Sequence, residues 1–354
     1  MNLLFYSRAY ANVAGGVEKM SLDLAKGLIE RGHSVTILSL DSELAQSFFQ
    51  WPEKVSWIKL GIGNPNKKNN VLIRLKRVRA IRGIARKGNF DAAVGFQIGS
   101  FALLKSALIG LKIRVIAAER NAPTLFNYIL NGKFKRFFSN IILYFADCIT
   151  VQFEEYKILY PRFLHNKMKV TPNWVATQKN INRALDLEVI NILFVGRLTI
   201  QKNVSILIKA LNYLPNNFQL NIVGYGPEFG KLKELASSFP KRVEFYPPTT
   251  DLSALYRKAN IFCLPSRWEG FPNVIAEALS HGIPCVGFKD CPGIPQLVFD
   301  NQNGFTSNDL GDAESLGQAL FKASVLESHP SDIASTVKKY TYEKYIESWE
   351  IALS

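Results

Sequence analysis

Two glutamates stand eight residues apart in the segment WEGFPNVIAEALSHG, residues 268–282. Glu269 lies in a turn with Gly270 and Pro272, and Glu277 lies in an apolar run whose spacing predicts a helix. The preceding stretch NIFCLP predicts a buried strand. The turn therefore joins a strand end to a helix start, where backbone amides favour a phosphate. Two carboxylates around such a site suit a nucleotide sugar, although a solvated loop residue and a helix-surface charge explain them equally well.

Two cations follow another predicted strand. In FVGRLTIQKN, Arg197 comes directly after the strand and Lys202 stands five residues later, before a helix. Cations at a sheet edge can neutralise the charge of a diphosphate leaving group, although such residues are more often plain surface charges. The sequence contains no Asp-x-Asp pair. We therefore expect no metal and no other cofactor, with the cations taking the metal's role.

The elements that must position these residues form two similar halves. Strands alternate with helices from LLFYS and the helix 17–30 to CITV, and the alternation restarts at NILFVG. This pattern predicts an α/β protein with two doubly wound, Rossmann-like domains that face a cleft. The predicted boundaries are 1–175 for an N-terminal acceptor-binding domain, 176–190 for a linker, 191–335 for a nucleotide-sugar domain and 336–354 for a C-terminal helix.

The charge of the chain is concentrated in the first half. The net charge of the 354 residues is +14, and residues 1–180 hold 27 Lys and Arg against 11 Asp and Glu. A basic half can meet nucleic acid, an anionic membrane or a phosphorylated substrate. The four cysteines have no metal-ligand spacing and no signal peptide is evident, so we expect a cytoplasmic protein.

The segments VGRLTIQKN, IVGYGPEFGKL and LPSRWEGFPNVIAEALSHGIPCVGF follow one another and are succeeded by NGF at 303–305. In this order they resemble the retaining glycosyltransferases of family 4, of the kind that builds bacterial cell-surface polysaccharides and lipid-linked oligosaccharides. The resemblance implies the GT-B fold, in which the C-terminal helix crosses back to the N-terminal domain. Gly15-Gly16 followed by Glu18 is similar to the family's N-terminal glycine loop.

The resemblance implies roles for the matching positions. Arg197 and Lys202 would contact the donor diphosphate, Glu269 would contact sugar hydroxyls near the reacting carbon, and Glu277 would hold the ribose. The donor site would be completed by Gly15, Gly16, Gly270, Phe271, Pro272, Asn273 and Val274. Many members carry a His after the strand that corresponds to RVIAAE, where this sequence has Glu119-Arg120-Asn121. Arg120 takes that position, and we count it with Glu269, Arg197 and Lys202 as a predicted catalytic residue.

The basic residues predict a contact with membrane or acceptor. The segment 71–88 places Leu72, Leu75, Val78, Ile81 and Ile84 at three-residue steps among arginines, as in a basic amphipathic helix on anionic lipid. Residues 125–146 add an aromatic, basic segment that suits the membrane interface. The predicted acceptor or membrane residues are Arg74, Arg77, Arg82, Arg86, Lys133 and Arg136. A solvated basic face, or one packed on the domain, is the alternative.

These observations lead to one hypothesis and two alternatives. The hypothesis is a retaining, metal-independent transfer of a hexose or N-acetylhexosamine from a UDP-sugar such as UDP-GalNAc or UDP-Gal. The acceptor would be a lipid-linked oligosaccharide or lipopolysaccharide, as in O-antigen synthesis, at the cytoplasmic face of the plasma membrane. The alternatives are a nucleotide-sugar epimerase and a nucleic-acid-binding protein, but no nucleic-acid reader motif is present and we expect no nucleic-acid partner.

Overall fold

The computed structural model describes residues 1–354 except 12–14, 66–69, 179, 180, 182, 185, 187 and 250. The chain divides into two compact units. Unit 1 comprises Met1–Asn173 and Glu343–Ser354, and unit 2 comprises Trp174–Tyr342.

Unit 1 is built around a seven-stranded parallel sheet. Its strands are β1 (Asn2–Tyr6), β2 (Ser34–Ser39), β3 (Ser56–Lys59), β4 (Ala92–Phe96), β5 (Arg114–Ala118), β6 (Cys148–Val151) and β7 (Met168–Val170), in the order β3-β2-β1-β4-β5-β6-β7. Its helices are α1 (Gly16–Glu30), α2 (Val71–Gly88), α3 (Ile98–Leu108), α4 (Gly132–Tyr144) and α5 (Arg162–His165). Strands β4 and β6 are buried along their whole length, as expected when helices cover both faces of a parallel sheet.

Unit 2 repeats the arrangement with a six-stranded parallel sheet. Its strands are β8 (Ile190–Val195), β9 (Phe218–Val223), β10 (Val243–Tyr246), β11 (Ile261–Leu264), β12 (Cys285–Phe288) and β13 (Gly304–Ser307), in the order β10-β9-β8-β11-β12-β13. Its helices are α6 (Val204–Ala210), α7 (Phe229–Ala236), α8 (Ser253–Lys258), α9 (Asn273–Ser280), α10 (Ala313–Ser324) and α11 (Pro330–Ser335). Two Rossmann-like units confirm the predicted fold class.

The last helix, α12 (Tyr342–Leu353), packs in unit 1. Trp349 is 1% exposed and lies 6.1 Å from the ring of Phe96. The hydroxyl of Tyr345 donates to the carbonyl of Met20 at 2.9 Å. The helix is shorter than the predicted 336–354, and the residues before Tyr342 belong to unit 2.

The predicted linker 176–190 lies partly outside the described residues, at 179, 180, 182, 185 and 187. Its described part differs from a linker because it bonds to unit 2. Arg183 donates to the carbonyls of Ala259 and Gly282, and the amide of Ala184 donates to the carbonyl of Arg257 at 2.8 Å. Strand β8 follows this segment directly.

Candidate functional site

The candidate site of unit 2 is built by three loops that follow strands β8, β9 and β11. Gly224, in the loop after β9, has a φ of +142°, and a Cβ there would come within 2.0 Å of the carbonyl oxygen of Gly196. The amide of Leu198 donates to the carbonyl of Tyr225 at 3.1 Å, and the amide of Glu228 donates back to Leu198 at 3.1 Å. The glycines of GYGPEFG therefore let this loop press against the loop that carries Arg197 and Lys202.

Lys202 and Glu269 meet at the centre of these loops. The Lys202 Nζ lies 2.6 Å from Glu269 Oε1, and the two side chains are 17% and 9% exposed. Gln201 ties the loops together, since its side chain donates to the carbonyl of Trp268 at 2.8 Å and its carbonyl accepts from the amide of Arg267 at 2.9 Å. The structure thus brings two predicted residues, 67 positions apart, into one ion pair.

Two further side chains define the surroundings of this pair. Arg197 lies on the Lys202 loop with an exposed side chain. Cys291 is fully buried, and burial raises the pKa of its thiol well above the usual value, with the charge of Glu269 acting in the same direction. The thiol is therefore neutral, and the charges here come from the Lys202–Glu269 pair and from Arg197.

Helix α9 begins at Asn273, as predicted, directly after Pro272. Phe271 is 6% exposed, and its ring packs edge-on against Tyr340 at 5.3 Å. This contact fixes the turn Gly270–Asn273 that leads into the helix. The amide of Val274 lies in the first helical turn, which is the position that favours a phosphate group, whereas the amide of Asn273 donates to the carbonyl of Phe271 at 2.9 Å.

Glu277 lies one turn into α9 and is half-buried. The hydroxyl of Tyr256 donates to Glu277 Oε2 at 3.3 Å, and the Tyr256 ring stacks on His281 at 4.6 Å. Burial, followed by the charge of Glu277, raises the pKa of Tyr256 well above its usual value. The tyrosine therefore stays protonated and holds the carboxylate in one orientation. Tyr256 was not among the predicted residues.

In unit 1, Gly15 and Gly16 stand at the start of α1, as the sequence predicted. Gly15 is the N-cap residue with an ordinary extended backbone, φ −109° and ψ 148°. Residues 12–14 before it lie outside the described part of the chain. No left-handed conformation requires glycine at position 15, and its predicted donor contact stays a prediction.

The structure corrects the prediction that Arg120 faces the substrate. The residue is 6% exposed, and its guanidinium donates to the hydroxyl of Thr150 and to the hydroxyl and carbonyl of Thr171, at 2.6 and 2.9 Å. It also lies 4.9 Å from the ring of Trp349. The two terminal nitrogens of the guanidinium thus have acceptors within unit 1, and burial lowers the pKa of Arg120 to about 10. Arg120 therefore joins β6 and β7 to α12.

Glu119 is the titratable group that the sequence reasoning left without a role. It is 8% exposed at the carboxyl end of β5, and the hydroxyl of Tyr160 lies 3.5 Å from its Oε2. Burial raises the pKa of Glu119 to about 7, while Arg120 and hydrogen bonds from Tyr160 and Ile98 act in the opposite direction. The sequence did contain a signal for this residue. Glu119 stands directly after the strand RVIAA, and ligands of such sheets bind beyond the strand ends.

Three of the six predicted basic contact residues serve unit 1 internally. Arg77 is 7% exposed, and its Nε donates to the carbonyl of Ile62 at 2.9 Å. Arg82 donates to the carbonyls of Ala107 and Ile109 at 2.9 and 2.7 Å. Arg136 donates to the carbonyl of Leu159. The residues that remain exposed are Arg74, Arg86 and Lys133.

The structure divides the predicted apolar row of α2 between an exposed part and a buried part. The buried residues of this helix are Arg77, Ile81 and Ala85, whereas Leu72 and Leu75 are 68% and 45% exposed. A three-residue step falls short of the 3.6 residues of a helical turn, so the predicted row drifts off the buried face. The four-residue steps from 77 to 85 follow the face that packs.

Helix α4 exposes most of its large apolar side chains. Only Gly132 and Leu143 of this helix are buried. The side chains that are at least 40% exposed on and next to the helix are Phe134, Phe137, Phe138, Ile141, Tyr144 and Phe145. Lys133 and Lys135 are exposed beside them. Such an aromatic and basic helix is typical of a surface that contacts a membrane or another molecule.

The described residues contain neither a membrane-spanning helix nor a cluster of metal ligands. No helix among them is long and apolar enough to cross a membrane. No group of three or more His, Cys, Asp and Glu side chains in the same part of the chain is arranged to hold a metal ion.

Comparison with protein families identifies the class. The model described as "Glycosyltransferase Family 4" matches residues 14–179, and the one described as "Glycosyl transferases group 1" matches residues 177–340. The chain, with its two parallel sheets and its cation–carboxylate site, belongs to glycosyltransferase family 4 and has the GT-B fold. This confirms the predicted family and the predicted enzyme class of glycosyltransferase.

Two relatives cover most of the chain. An uncharacterized glycosyltransferase of Haemophilus influenzae is 29% identical over 353 residues, covering 95% of this chain and 96% of the relative. A Campylobacter jejuni enzyme is 27% identical over 297 residues, covering 82% and 80%. The latter is named GalNAc-alpha-(1->4)-GalNAc-alpha-(1->3)-diNAcBac-PP-undecaprenol alpha-1,4-N-acetyl-D-galactosaminyltransferase.

Solved structures share the fold. The lipopolysaccharide outer core galactosyltransferase WaaB in its apo form superposes with a TM-score of 0.78 at 18% identity, covering 99% of both chains. HepE of Anabaena in complex with UDP and glucose superposes with a TM-score of 0.74 at 17% identity, covering 100% of this chain and 99% of HepE.

Proposed function

We propose that this chain transfers a hexose or N-acetylhexosamine from a UDP-sugar to a lipid-linked oligosaccharide at the cytoplasmic face of the membrane, with retention of the anomeric configuration. The observation that carries this proposal is the Lys202–Glu269 pair, which stands beyond the ends of β8 and β11 beside Arg197 and the start of α9. The site combines fixed positive charge with a carboxylate. A sugar diphosphate offers the complementary groups, with its anionic phosphates and its hydroxyls.

The positive charges suit the leaving group. When the bond between the sugar and the diphosphate breaks, negative charge builds on the phosphate oxygens. Lys202, Arg197 and the amide of Val274 would stabilise that charge more strongly in the transition state than in the ground state, which is the condition for a higher rate. Since these groups supply the charge without a cation from solution, we propose that the reaction needs no metal.

Glu269 suits the transferred sugar. Its carboxylate is held in place by the Lys202 ammonium, and a carboxylate is the kind of group that accepts hydrogen bonds from sugar hydroxyls. Such a fixed carboxylate would orient the sugar above the cations. We propose that the acceptor hydroxyl attacks from the face that the diphosphate leaves, which retains the configuration.

Glu277 suits the ribose of the nucleotide. Tyr256 holds its side chain in place, one helical turn beyond the proposed phosphate position. UDP is proposed as the nucleotide because the structurally similar HepE is described in complex with UDP and glucose. N-acetylgalactosamine or galactose is proposed as the sugar because the Campylobacter relative and WaaB are named for these sugars.

The proposed acceptor follows from unit 1. The Campylobacter relative is named for an undecaprenol-pyrophosphate oligosaccharide, which joins an anionic group to a membrane lipid. The exposed cations Arg74, Arg86 and Lys133 suit such a pyrophosphate or an anionic lipid surface. Lipopolysaccharide, the other acceptor considered, has the same anionic character.

Helix α4 is the segment that we propose to contact the bilayer. Aromatic side chains prefer the membrane–water interface, and lysines beside them meet lipid phosphates. Its exposed Phe134, Phe137 and Phe138 form a continuous cluster, with ring centroids 4.6 Å and 5.7 Å apart. α2 would contribute its exposed first turn, Arg74 and Arg86, whereas Arg77 and Arg82 are bonded within unit 1.

The proposal is tested by reconstituting the reaction. UDP- and GDP-sugars are first screened by the melting shift that they cause, and the donors found are assayed with an undecaprenol-pyrophosphate oligosaccharide in detergent, with and without EDTA. We expect transfer from a UDP-hexose or UDP-N-acetylhexosamine, unchanged by EDTA, and an α-linked product by NMR. Binding of no nucleotide sugar would overturn the proposal, a β-linked product would remove retention, and loss of activity in EDTA would remove metal independence.

A further inference from the structure

Unit 1 contains a cavity that the proposed donor chemistry does not use. It has a volume of about 680 Å³ and lies between the outer face of α1 and residues 49–54. This size is typical of small-molecule sites, which span ~300–1,000 Å³. The cavity runs along α1 as far as Ile29 and Glu30, and its other wall is the segment between β2 and β3.

Trp51 forms a flat apolar wall of this cavity. Its ring stacks on Trp57 with centroids 4.1 Å apart and an angle of 13°, and the edge of Tyr10 meets it at 5.4 Å. Its Nε1 donates to the carbonyl of Val55 at 2.9 Å. The indole is therefore fixed before any ligand arrives. Leu22, Ile29, Phe49 and Pro52 complete the apolar lining.

The charges around the cavity are balanced. Three lysines and three carboxylates line it, namely Lys19, Lys26, Lys54, Asp23, Glu30 and Glu53. This balance is unusual in a half of the chain that carries 27 basic residues against 11 acidic ones. Lys26 and Glu30 lie 4.0 Å apart, so their charges partly cancel, and the cavity has no excess of positive charge that would favour an anion. It suits a neutral ligand with many hydroxyl groups, which both carboxylates and ammonium groups can bind.

We propose that this cavity binds one or two sugar residues of the acceptor oligosaccharide, at a distance from the hydroxyl that reacts. A sugar ring has an apolar C–H face that can lie on the Trp51 indole and a rim of hydroxyls that can reach Asp23 and Gln50. The inference rests on the proposed function, because it takes the acceptor to be a chain of sugars. The subsite would select acceptors by the sugars behind the reacting end.

Fluorine NMR can test the binding directly. The chain has five tryptophans, so 5-fluorotryptophan labelling gives five resonances, and a Trp51→Phe variant assigns the one from Trp51. The probe is an α-1,4-linked N-acetylgalactosamine disaccharide that carries neither lipid nor phosphate, with inorganic pyrophosphate as the anionic comparison. We expect the disaccharide to shift the Trp51 resonance saturably. In Asp23→Asn the affinity should fall about tenfold, the effect of one good polar contact.

Kinetics supplies a second readout. Asp23→Asn should raise the KM of an oligosaccharide acceptor several-fold and leave kcat and the KM of the donor unchanged. The subsite is overturned if millimolar disaccharide leaves the Trp51 resonance in place, or if pyrophosphate alone moves it. Sugar transfer without disaccharide binding would reject the subsite and keep the proposed function. Disaccharide binding in a protein that transfers no sugar would reject the function and keep the subsite.

Discussion

The ammonium group of Lys202 lies 2.6 Å from the carboxylate of Glu269, and both side chains are largely buried. Each residue fixes the other. Glu269 holds the cation at the edge of the sheet, and Lys202 prevents the carboxylate from turning away. A buried ion pair of this kind does not guarantee stability, because desolvation offsets much of its attraction. The pair lies beyond the carboxyl ends of two strands, and this position favours a role in catalysis over one in stability.

Lys202→Ala should lower kcat by about 10²–10³-fold, since it removes one fixed charge from the leaving group. It should also destabilise the fold by about 1–3 kcal/mol, because Glu269 loses its buried partner. Steady-state kinetics and urea unfolding measure the two effects. Lys209→Ala, an exposed lysine on α6, is the matched control and should change neither. A kcat within threefold of the wild type in Lys202→Ala would exclude the leaving-group role.

Glu277→Gln should weaken donor binding by about 10–100-fold, as expected when a charged hydrogen-bond acceptor is lost. Comparison of UDP with 2′-deoxy-UDP by calorimetry isolates the ribose. The wild type should prefer UDP, and Glu277→Gln should lose that preference. Tyr256→Phe, which removes the hydroxyl that orients Glu277, should have a smaller effect in the same direction. An unchanged preference in Glu277→Gln would place the ribose elsewhere.

Glu119 should make stability depend on pH. The unfolded carboxyl ionises near its ordinary pKa of 4.5, whereas the folded one keeps its proton up to a pKa of about 7. Folding is therefore destabilised as the pH rises from ~4.5 to ~7, by about 3 kcal/mol in all, and the cost is constant at higher pH. The stability gain of Glu119→Gln over the wild type should grow across this window and then level off, as measured by urea unfolding. Exposed Glu155→Gln should show no such trend, and parallel curves for Glu119→Gln would refute the cause.

Phe137→Asp and Phe138→Asp should each reduce sedimentation with anionic phosphatidylglycerol vesicles by about tenfold, because a carboxylate replaces an aromatic ring at the lipid surface. Activity on a water-soluble acceptor should remain. Phe321→Asp, at an aromatic residue of similar exposure on α10 of unit 2, should bind vesicles like the wild type. An equal loss of vesicle binding in all three variants would mean that α4 has no special role in membrane contact.

Trp349→Ala should destabilise unit 1 by about 3–5 kcal/mol, because it leaves a cavity and removes the ring beside Arg120. Ile351→Ala, at a residue of the same helix that is 62% exposed, is the control and should stay within ~0.5 kcal/mol of the wild type. Circular dichroism of thermal unfolding distinguishes the two. Equal melting temperatures of Trp349→Ala and Ile351→Ala would show that α12 contributes little to the stability of unit 1.

Local patterns were sufficient for the sheets and for the place of the donor residues. The strand-end rule placed Lys202 and Glu269 at one edge, although their direct contact was not predicted, because it depends on loops that are 67 residues apart. The short strands β3, β7 and β13 were missed, since segments of three or four residues carry no clear alternation.

Arg120 shows why burial is harder to predict than position. Its acceptors on Thr150 and Thr171 lie 30 and 51 residues away, and nothing in the neighbouring sequence announces them. The same holds for Arg77 and Arg82, whose partners are backbone carbonyls of other loops. In the sequence, an arginine that donates to an internal carbonyl looks the same as an arginine that binds a ligand.

The return of Glu343–Ser354 to unit 1 bears on biosynthesis. Unit 2 is one uninterrupted segment of polypeptide, whereas unit 1 is split by it. During translation, Met1–Asn173 is synthesised well before the stretch that contains Trp349, because the whole of unit 2 lies between the two pieces of unit 1. Until then Arg120 lacks its aromatic neighbour, so a nascent chain that stalls late would display an incomplete amino-terminal half to chaperones and proteases.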